Sequence, residues 1–173
     1  MAEIIKRQDH RREFIDTLIE LAEKDDKIVL IVPDVGFNYI EKFKEKFPKR
    51  FYNLGVTEQS TIIIAAALAL DGWKPYVYSM INFVLFRPGE MVRNAIVAHK
   101  ANVKLLGVAG GPSYKFLGTG HNLLHPEEDT KFCDNIGLDW AIPIDGSVKE
   151  YPDQVRRCIL HIYTQNKPWY IRL

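Results

Sequence analysis

The sequence has few cysteines and no long hydrophobic run. Its two cysteines, Cys133 and Cys158, have the spacing of neither a zinc site nor a disulfide framework. The longest apolar stretch, residues 62–70, is too short to cross a bilayer. The first residues also lack the apolar core of a signal peptide. We therefore expect a cytoplasmic protein of a reducing compartment that has no membrane partner.

Charge of one sign is not in excess either. The chain has 23 Lys and Arg against 22 Asp and Glu, a formal net charge of +1, so electrostatics favours neither nucleic acid nor a membrane surface as a partner. Its 173 residues are 47% hydrophobic, which is enough for one domain with a substantial core. Because repeats and linkers are also lacking, residues 1–173 are predicted to form a single domain.

Short apolar runs alternate along the chain with segments of helical period. Strands are predicted at 27–32, 50–55, 74–79, 102–110, 140–144 and 168–173, and helices at 9–24, 38–48, 58–70, 87–100 and 149–165. This alternation is typical of a three-layer αβα fold with a mainly parallel sheet. In such sheets ligands bind beyond the carboxyl ends of the strands. That edge should carry Asp34, the turn 56–59, the segment 80–86 and the Gly-rich loop 110–125.

One acidic residue, Glu58, precedes a helix that is otherwise small or apolar. A carboxylate in the first turn of a helix is favoured by the helix dipole, and Thr57 could act as the cap. Residues 62–70, however, are apolar all round, which predicts a helix buried on every side. Glu58 would then be poorly solvated, with a raised pKa, and able to share a proton near neutral pH. Both interpretations, helix start and proton-transfer group, remain open at this point.

A longer stretch of sequence distinguishes these two interpretations of Glu58, because it resembles a known protein family. The turn Gly55-Val56-Thr57-Glu58-Gln59 is followed by a small-residue helix, a strand led by Pro75, an aromatic segment with Phe83 and Phe86, and an R-x-x-E-x-V-R pattern at 87–93. In order and spacing these features resemble the pyrimidine-binding domain of the transketolase family of thiamine-diphosphate enzymes. The resemblance covers essentially the whole chain, from about residue 14 onward.

The resemblance implies a catalytic role for Glu58. In the family, the matching glutamate hydrogen-bonds N1′ of the cofactor's aminopyrimidine ring and favours the tautomer that removes the proton from the thiazolium C2. The matching aromatic segment stacks on the same ring, which implies Phe83 as the platform and Phe86 on the same wall. Asp34 and Met80 are expected beside the cofactor. Alternatively, Asp34 is an ordinary turn residue and Met80 simply packs against the sheet.

The Gly-rich loop matches a family segment, G-x-x-[ST]-H, whose histidine faces substrate oxygens and moves protons. His121, after Gly118-Thr119-Gly120, is the better match and is expected to be catalytic. The acidic pair at 128–129 comes later than in the family pattern, so His125 is an alternative substrate contact. Tyr114 is expected to shape the substrate entrance. A loop histidine without a partner in the sequence can equally be a surface group.

The family's G-D-G…N signature, which binds Mg²⁺ and the diphosphate, is absent from the sequence, and no metal ligand is expected in this chain. The resemblance therefore implies a separately encoded diphosphate-binding subunit that holds Mg²⁺, in an α2β2 assembly. The expected reaction is transfer of a two-carbon ketol unit between sugars or sugar phosphates. One alternative is a subunit of a thiamine-dependent 2-keto acid decarboxylase, dehydrogenase or acyloin/deoxyxylulose-type synthase. The other is a non-catalytic regulatory or scaffold subunit.

Overall fold

The computed structural model describes residues 10–108, 112–143 and 154–173, with side chains from residue 115 onward in the second range. Within these ranges, six strands form one sheet: β1 (Ile28–Val32), β2 (Phe51–Asn53), β3 (Lys74–Met80), β4 (Lys104–Val108), β5 (Trp140–Ala141) and β6 (Trp169–Arg172). The strand order is β2-β1-β3-β4-β6-β5, and every neighbouring pair is parallel. The predicted parallel sheet is confirmed.

Helices cover both faces of this sheet. On one face pack α1 (His10–Ala22), α2 (Glu41–Lys46) and α6 (Gln154–Tyr163); on the other lie α3 (Glu58–Leu70), α4 (Gly89–Met91) and α5 (Glu128–Ile136). Strands β1 and β4 are buried along their whole length, as expected for parallel strands covered on both sides. The fold is therefore the predicted three-layer αβα arrangement. In the described ranges, no helix has the length and apolar character needed to cross a membrane.

The connection between β3 and β4 differs from the single helix predicted at 87–100. It consists of a π-helical segment, Asn82–Phe86, the short α4, and a second π-helical segment, Val92–Val97. π-Helical turns are rare in proteins, and those that do occur are often found at functional sites. Beyond β4, the Gly-rich loop includes a 3₁₀ segment, Pro112–Gly120, and ends at α5, a helix that the sequence did not predict.

Helix α3 is not buried on every side. The residues that face the sheet include Thr61, Ile62, Ala65 and Ala66. On the outer side, Ile63, Ile64 and Leu70 are 48%, 41% and 62% exposed, because no described part of the chain covers them. The prediction of all-round burial is thus wrong for the single chain. An exposed apolar stripe of this kind is typical of a surface that contacts another molecule.

Lys104 is buried at the amino end of β4, at the sheet edge opposite the carboxyl ends of the strands. Its Nζ donates to Asn102 Oδ1 at 2.5 Å and to the main-chain oxygens of Gln165 at 2.8 Å and Lys167 at 2.6 Å. Burial, and then the charges of Lys74 and Lys167, lower the pKa of Lys104 to about 7.

This lowered pKa makes the free energy of unfolding depend on pH. With this pKa, the folded chain should lose the Lys104 proton as the pH rises above about 7, whereas the unfolded chain keeps it up to the ordinary pKa of 10.5. Raising the pH from about 7 to 8.5 should therefore stabilise the wild type by up to about 1.4 kcal/mol per pH unit relative to Lys104→Met. Urea unfolding of both proteins across this range measures the difference. The surface variant Lys131→Met should follow the wild type, and equal pH slopes for the wild type and Lys104→Met would contradict the assignment.

Candidate functional site

Glu58 begins α3 just beyond the carboxyl end of β2, and its side chain is 8% exposed. Its Oε1 accepts a hydrogen bond from Arg87 Nη1 at 2.5 Å. Burial of the carboxyl group agrees with the sequence prediction. The arginine counter-ion is not a partner that the sequence predicted, because Glu58 and Arg87 are 29 residues apart in the chain. The ion pair fixes the direction of a carboxylate that solvent barely reaches.

The turn before α3 is ordered by Asn53, a residue that sequence reasoning missed. Asn53 Oδ1 accepts hydrogen bonds from the main-chain N–H groups of Asp34 and Gly55, each at 3.0 Å, and its Nδ2 donates to Asp34 Oδ1 at 3.2 Å. Thr57 precedes α3 but its side chain accepts no capping hydrogen bond, and its hydroxyl donates to the Leu54 carbonyl at 2.8 Å. Asn53 thus ties the end of β1 to the turn that carries the acidic residue. In the sequence, Asn53 is distinguished only as a polar residue at the end of a strand, and such residues are too common to indicate a role in the site.

Phe83, in the first π-helical segment, contacts both an arginine and a histidine. The Cζ atom of Arg87 lies 4.3 Å from the Phe83 ring centroid. The His121 ring approaches Phe83 edge-on, with centroids 5.0 Å apart and planes at 81°. Glu58, Arg87, Phe83 and His121 therefore form a continuous series of contacts, called here the Glu58–His121 row. It joins the two residues predicted to be catalytic through the ring predicted to stack.

A cavity of about 410 Å³ opens beside the Phe83 and His121 end of this row, at the carboxyl ends of β1, β3 and β4, and Glu58 and Arg87 are not in its lining. Its lining includes four predicted site residues: Asp34, Met80, Phe83 and His121. Arg11 from α1 adds positive charge to the wall. Two buried polar atoms, Ser79 Oγ and His121 Nδ1, have no hydrogen-bond partner within the described part of the chain. Both residues line the cavity, which can therefore offer polar contacts to a ligand.

Phe86 and His125 lie elsewhere. The Phe86 ring packs edge-on against Phe132 with centroids 5.7 Å apart, and Phe86 and His125 line a second groove next to α5. Phe86 is not in the lining of the Phe83 cavity, so the two rings face different openings in the described chain, and a place for Phe86 beside the cofactor stays a prediction. The physical reason for the different openings is the π-helical turn, which rotates residues three apart further from each other than an α-helix does. The side chain of Tyr114, the predicted entrance residue, lies outside the described residues.

Comparisons with known proteins identify relatives along the whole chain. The chain is 32% identical over 164 residues to a subunit of the apulose-4-phosphate transketolase of Phocaeicola vulgatus, covering 94% of this chain and 50% of that protein. It is 30% identical over 173 residues to a subunit of the 6-deoxy-6-sulfo-D-fructose transketolase of a Clostridium species, covering 98% and 51%. A solved structure described as a split gene transketolase, inactive beta4 tetramer, matches with a TM-score of 0.79 at 28% identity, over 95% of this chain and 50% of that chain.

The chain spans about half the length of these curated relatives. The family model for the transketolase pyrimidine binding domain matches residues 6–173. This match confirms the resemblance that the turn 55–59 and the pattern at 87–93 suggested. The chain belongs to the family of transketolase pyrimidine-binding domains.

Proposed function

We propose that the chain is the pyrimidine-binding subunit of a thiamine-diphosphate-dependent, transketolase-like enzyme that transfers a two-carbon ketol unit between sugars or sugar phosphates. The observation that carries this proposal is the Glu58–His121 row beside the 410 Å³ cavity. A buried carboxylate, an aromatic face and a half-buried histidine are the groups such chemistry needs. The reaction class is supported by relatives named as transketolase subunits.

The row fits an aminopyrimidine ring. The Phe83 face already accommodates a planar conjugated group, and Glu58 already accepts a hydrogen bond from a planar nitrogen group. A heteroaromatic ring with amino and ring nitrogens is bound by these two kinds of contact, stacking and a hydrogen bond to a carboxyl group. When bound, thiamine diphosphate supplies the electron sink for cleaving the bond next to a ketose carbonyl.

Three residues of the row, and Arg11 in the cavity wall, have distinct roles in this proposal. Glu58 holds or donates a proton at the ring nitrogen, and its burial keeps that proton from exchanging freely with bulk water. Phe83 orients the ring by stacking. His121 faces the cavity with an unsatisfied Nδ1, so it can exchange a proton with a substrate hydroxyl. Arg11 in the cavity wall suits a substrate that carries an anionic group.

A second subunit is proposed to supply the diphosphate and Mg²⁺ site, in an α2β2 assembly in the cytoplasm. Among the residues that the structure describes, no cluster of His, Cys, Asp and Glu could hold a metal ion. The exposed apolar stripe of α3 offers such a subunit a surface adjacent to Glu58. The related split gene transketolase chain is described as an inactive beta4 tetramer, which supports the need for a different kind of subunit.

We expect no ketose turnover from this chain alone, even with thiamine diphosphate and Mg²⁺. Turnover should appear when a diphosphate-binding transketolase subunit from the same organism is added, because the cofactor would then be held at both ends. A coupled assay at fixed concentration of this chain should saturate at about one partner per chain. Sustained turnover by the chain alone would contradict the proposal. In the complex, product from a 2-keto acid but not from a ketose would instead assign the keto-acid chemistry.

A further inference from the structure

We propose that Arg87 occupies the place of the aminopyrimidine ring while no cofactor is bound, so that the cofactor must displace its guanidinium from Glu58 and Phe83. This inference rests on the proposed function, because it takes those two residues as the contacts of the ring. The new element is that a side chain of the protein itself competes with the cofactor for these two residues.

The geometry of Arg87 resembles that of a bound ligand. Its Nη1 donates to Glu58 Oε1 at 2.5 Å while its Cζ lies 4.3 Å from the Phe83 ring centroid. A guanidinium is planar, conjugated and rich in N–H donors. With one group it therefore makes a hydrogen bond to the carboxylate and a contact over the ring face, the two kinds of contact that a nitrogen heterocycle would make. A ring bound to Glu58 and stacked on this face of Phe83 would overlap the guanidinium.

Arg87 is the partner that can move. Its side chain is 50% exposed, against 8% for Glu58, so the guanidinium can rotate into water whereas the carboxylate remains enclosed. The main-chain N–H of Arg87 donates to the Asn82 carbonyl at 2.8 Å, so release needs only a side-chain rotation and leaves the π-helical segment in place. In the chain without cofactor, the arginine also compensates a buried negative charge that would otherwise be costly.

Such a competitor lowers the apparent affinity for the aminopyrimidine ring, because only molecules in which Arg87 has left Glu58 and Phe83 can bind the ring. The apparent affinity is the intrinsic affinity multiplied by the fraction of such molecules. Thiamine is a suitable probe, since it carries the aminopyrimidine ring but not the diphosphate that the partner subunit would hold. In Arg87→Met, which keeps the apolar stem and removes the guanidinium, the full chain should bind thiamine about tenfold more tightly, equivalent to about 1.4 kcal/mol. Arg87→Lys, which keeps the charge without the planar group, should bind thiamine with an affinity between those of the wild type and Arg87→Met.

Two readouts separate displacement from a general structural effect. In ¹⁵N-labelled wild type, the Nε–H signal of Arg87 should shift on addition of thiamine. Because salt weakens a half-exposed ion pair, the affinity gap between wild type and Arg87→Met should narrow as salt is raised. Arg93→Met is the matched control, since Arg93 is exposed and its Nη1 donates to Asn94 instead; it should bind thiamine as the wild type does.

The possible failures are distinguishable. Thiamine binding that Arg87→Met leaves equal or weaker would overturn the inference, and Arg87 would then be a bystander or a direct contact of the ring. Thiamine binding that is absent from every variant, or insensitive to Glu58→Gln, would overturn the assignment of Glu58 in the proposed function and this inference with it.

Discussion

Replacing Glu58 by Gln is expected to lower the turnover number of the assembled enzyme by about 10²- to 10⁴-fold, the usual contribution of a general acid–base group. Glutamine keeps the length and shape of the side chain, and its carbonyl oxygen can still accept the hydrogen bond from Arg87. It cannot hold or transfer the proton that a carboxyl group carries. Because Arg87 is half exposed, loss of the negative charge leaves no buried unpaired cation, so folding and assembly should be preserved.

The measurement is a steady-state comparison of wild type and Glu58→Gln in complex with the diphosphate-binding subunit, at saturating donor and cofactor. Size-exclusion chromatography checks that the complex still forms. Glu90→Gln makes the same chemical change at an exposed carboxylate of α4 and should leave the turnover number unaltered. If Glu58→Gln kept a turnover number within about twofold of wild type, Glu58 could not be the general acid–base group.

The fold class could be predicted because the central strands are short, mostly apolar runs between helical segments. Strands β1 and β4 are completely buried; β1 is apolar throughout, and β4 is apolar after Lys104. The surroundings of α3 could not be predicted in the same way. A helix that is apolar on all sides is expected both when its own chain covers it and when another chain covers its outer side. Ile63 and Leu70 are exposed in the described chain, so the first case does not hold, and periodicity alone could not separate the two cases.

The candidate site could be predicted only where it depends on local motifs. Glu58, Phe83 and His121 each lie at the carboxyl edge of a strand, and edge position can be inferred from the alternation of elements. The contact between Glu58 and Arg87 joins residues 29 apart in sequence, and that between Asp34 and Asn53 joins residues 19 apart. Both depend on how loops and the π-helical segment turn, which the residue pattern does not specify.

Asp129 illustrates a buried group whose importance the sequence did not indicate. It lies in the first turn of α5 and is fully buried. Its Oδ1 accepts from Arg172 Nη2 at 2.8 Å and from the Thr130 main chain at 2.9 Å, while Oδ2 accepts from Arg172 Nε at 2.9 Å and from the Tyr170 hydroxyl at 2.6 Å. Burial and the Asp129 charge raise the pKa of Tyr170 well above its ordinary value, so that hydroxyl remains a donor. Three of these four hydrogen bonds fasten α5 to β6 through one carboxylate.

Asp129→Asn should therefore lower the free energy of unfolding by about 3–5 kcal/mol, the cost of breaking a buried ion pair. The amide presents a donor where one carboxylate oxygen had accepted, and it leaves the mostly buried Arg172 guanidinium without its counter-ion. The matched control is Asp139→Asn, which breaks the ion pair between Asp139 and Lys167. The side chains of these two residues are 50% and 46% exposed, respectively. That change should cost less than about 1 kcal/mol. Urea unfolding followed by circular dichroism compares the two variants. Since the chemical substitution is the same, equal losses would mean that burial of the Asp129 network does not determine its contribution to stability.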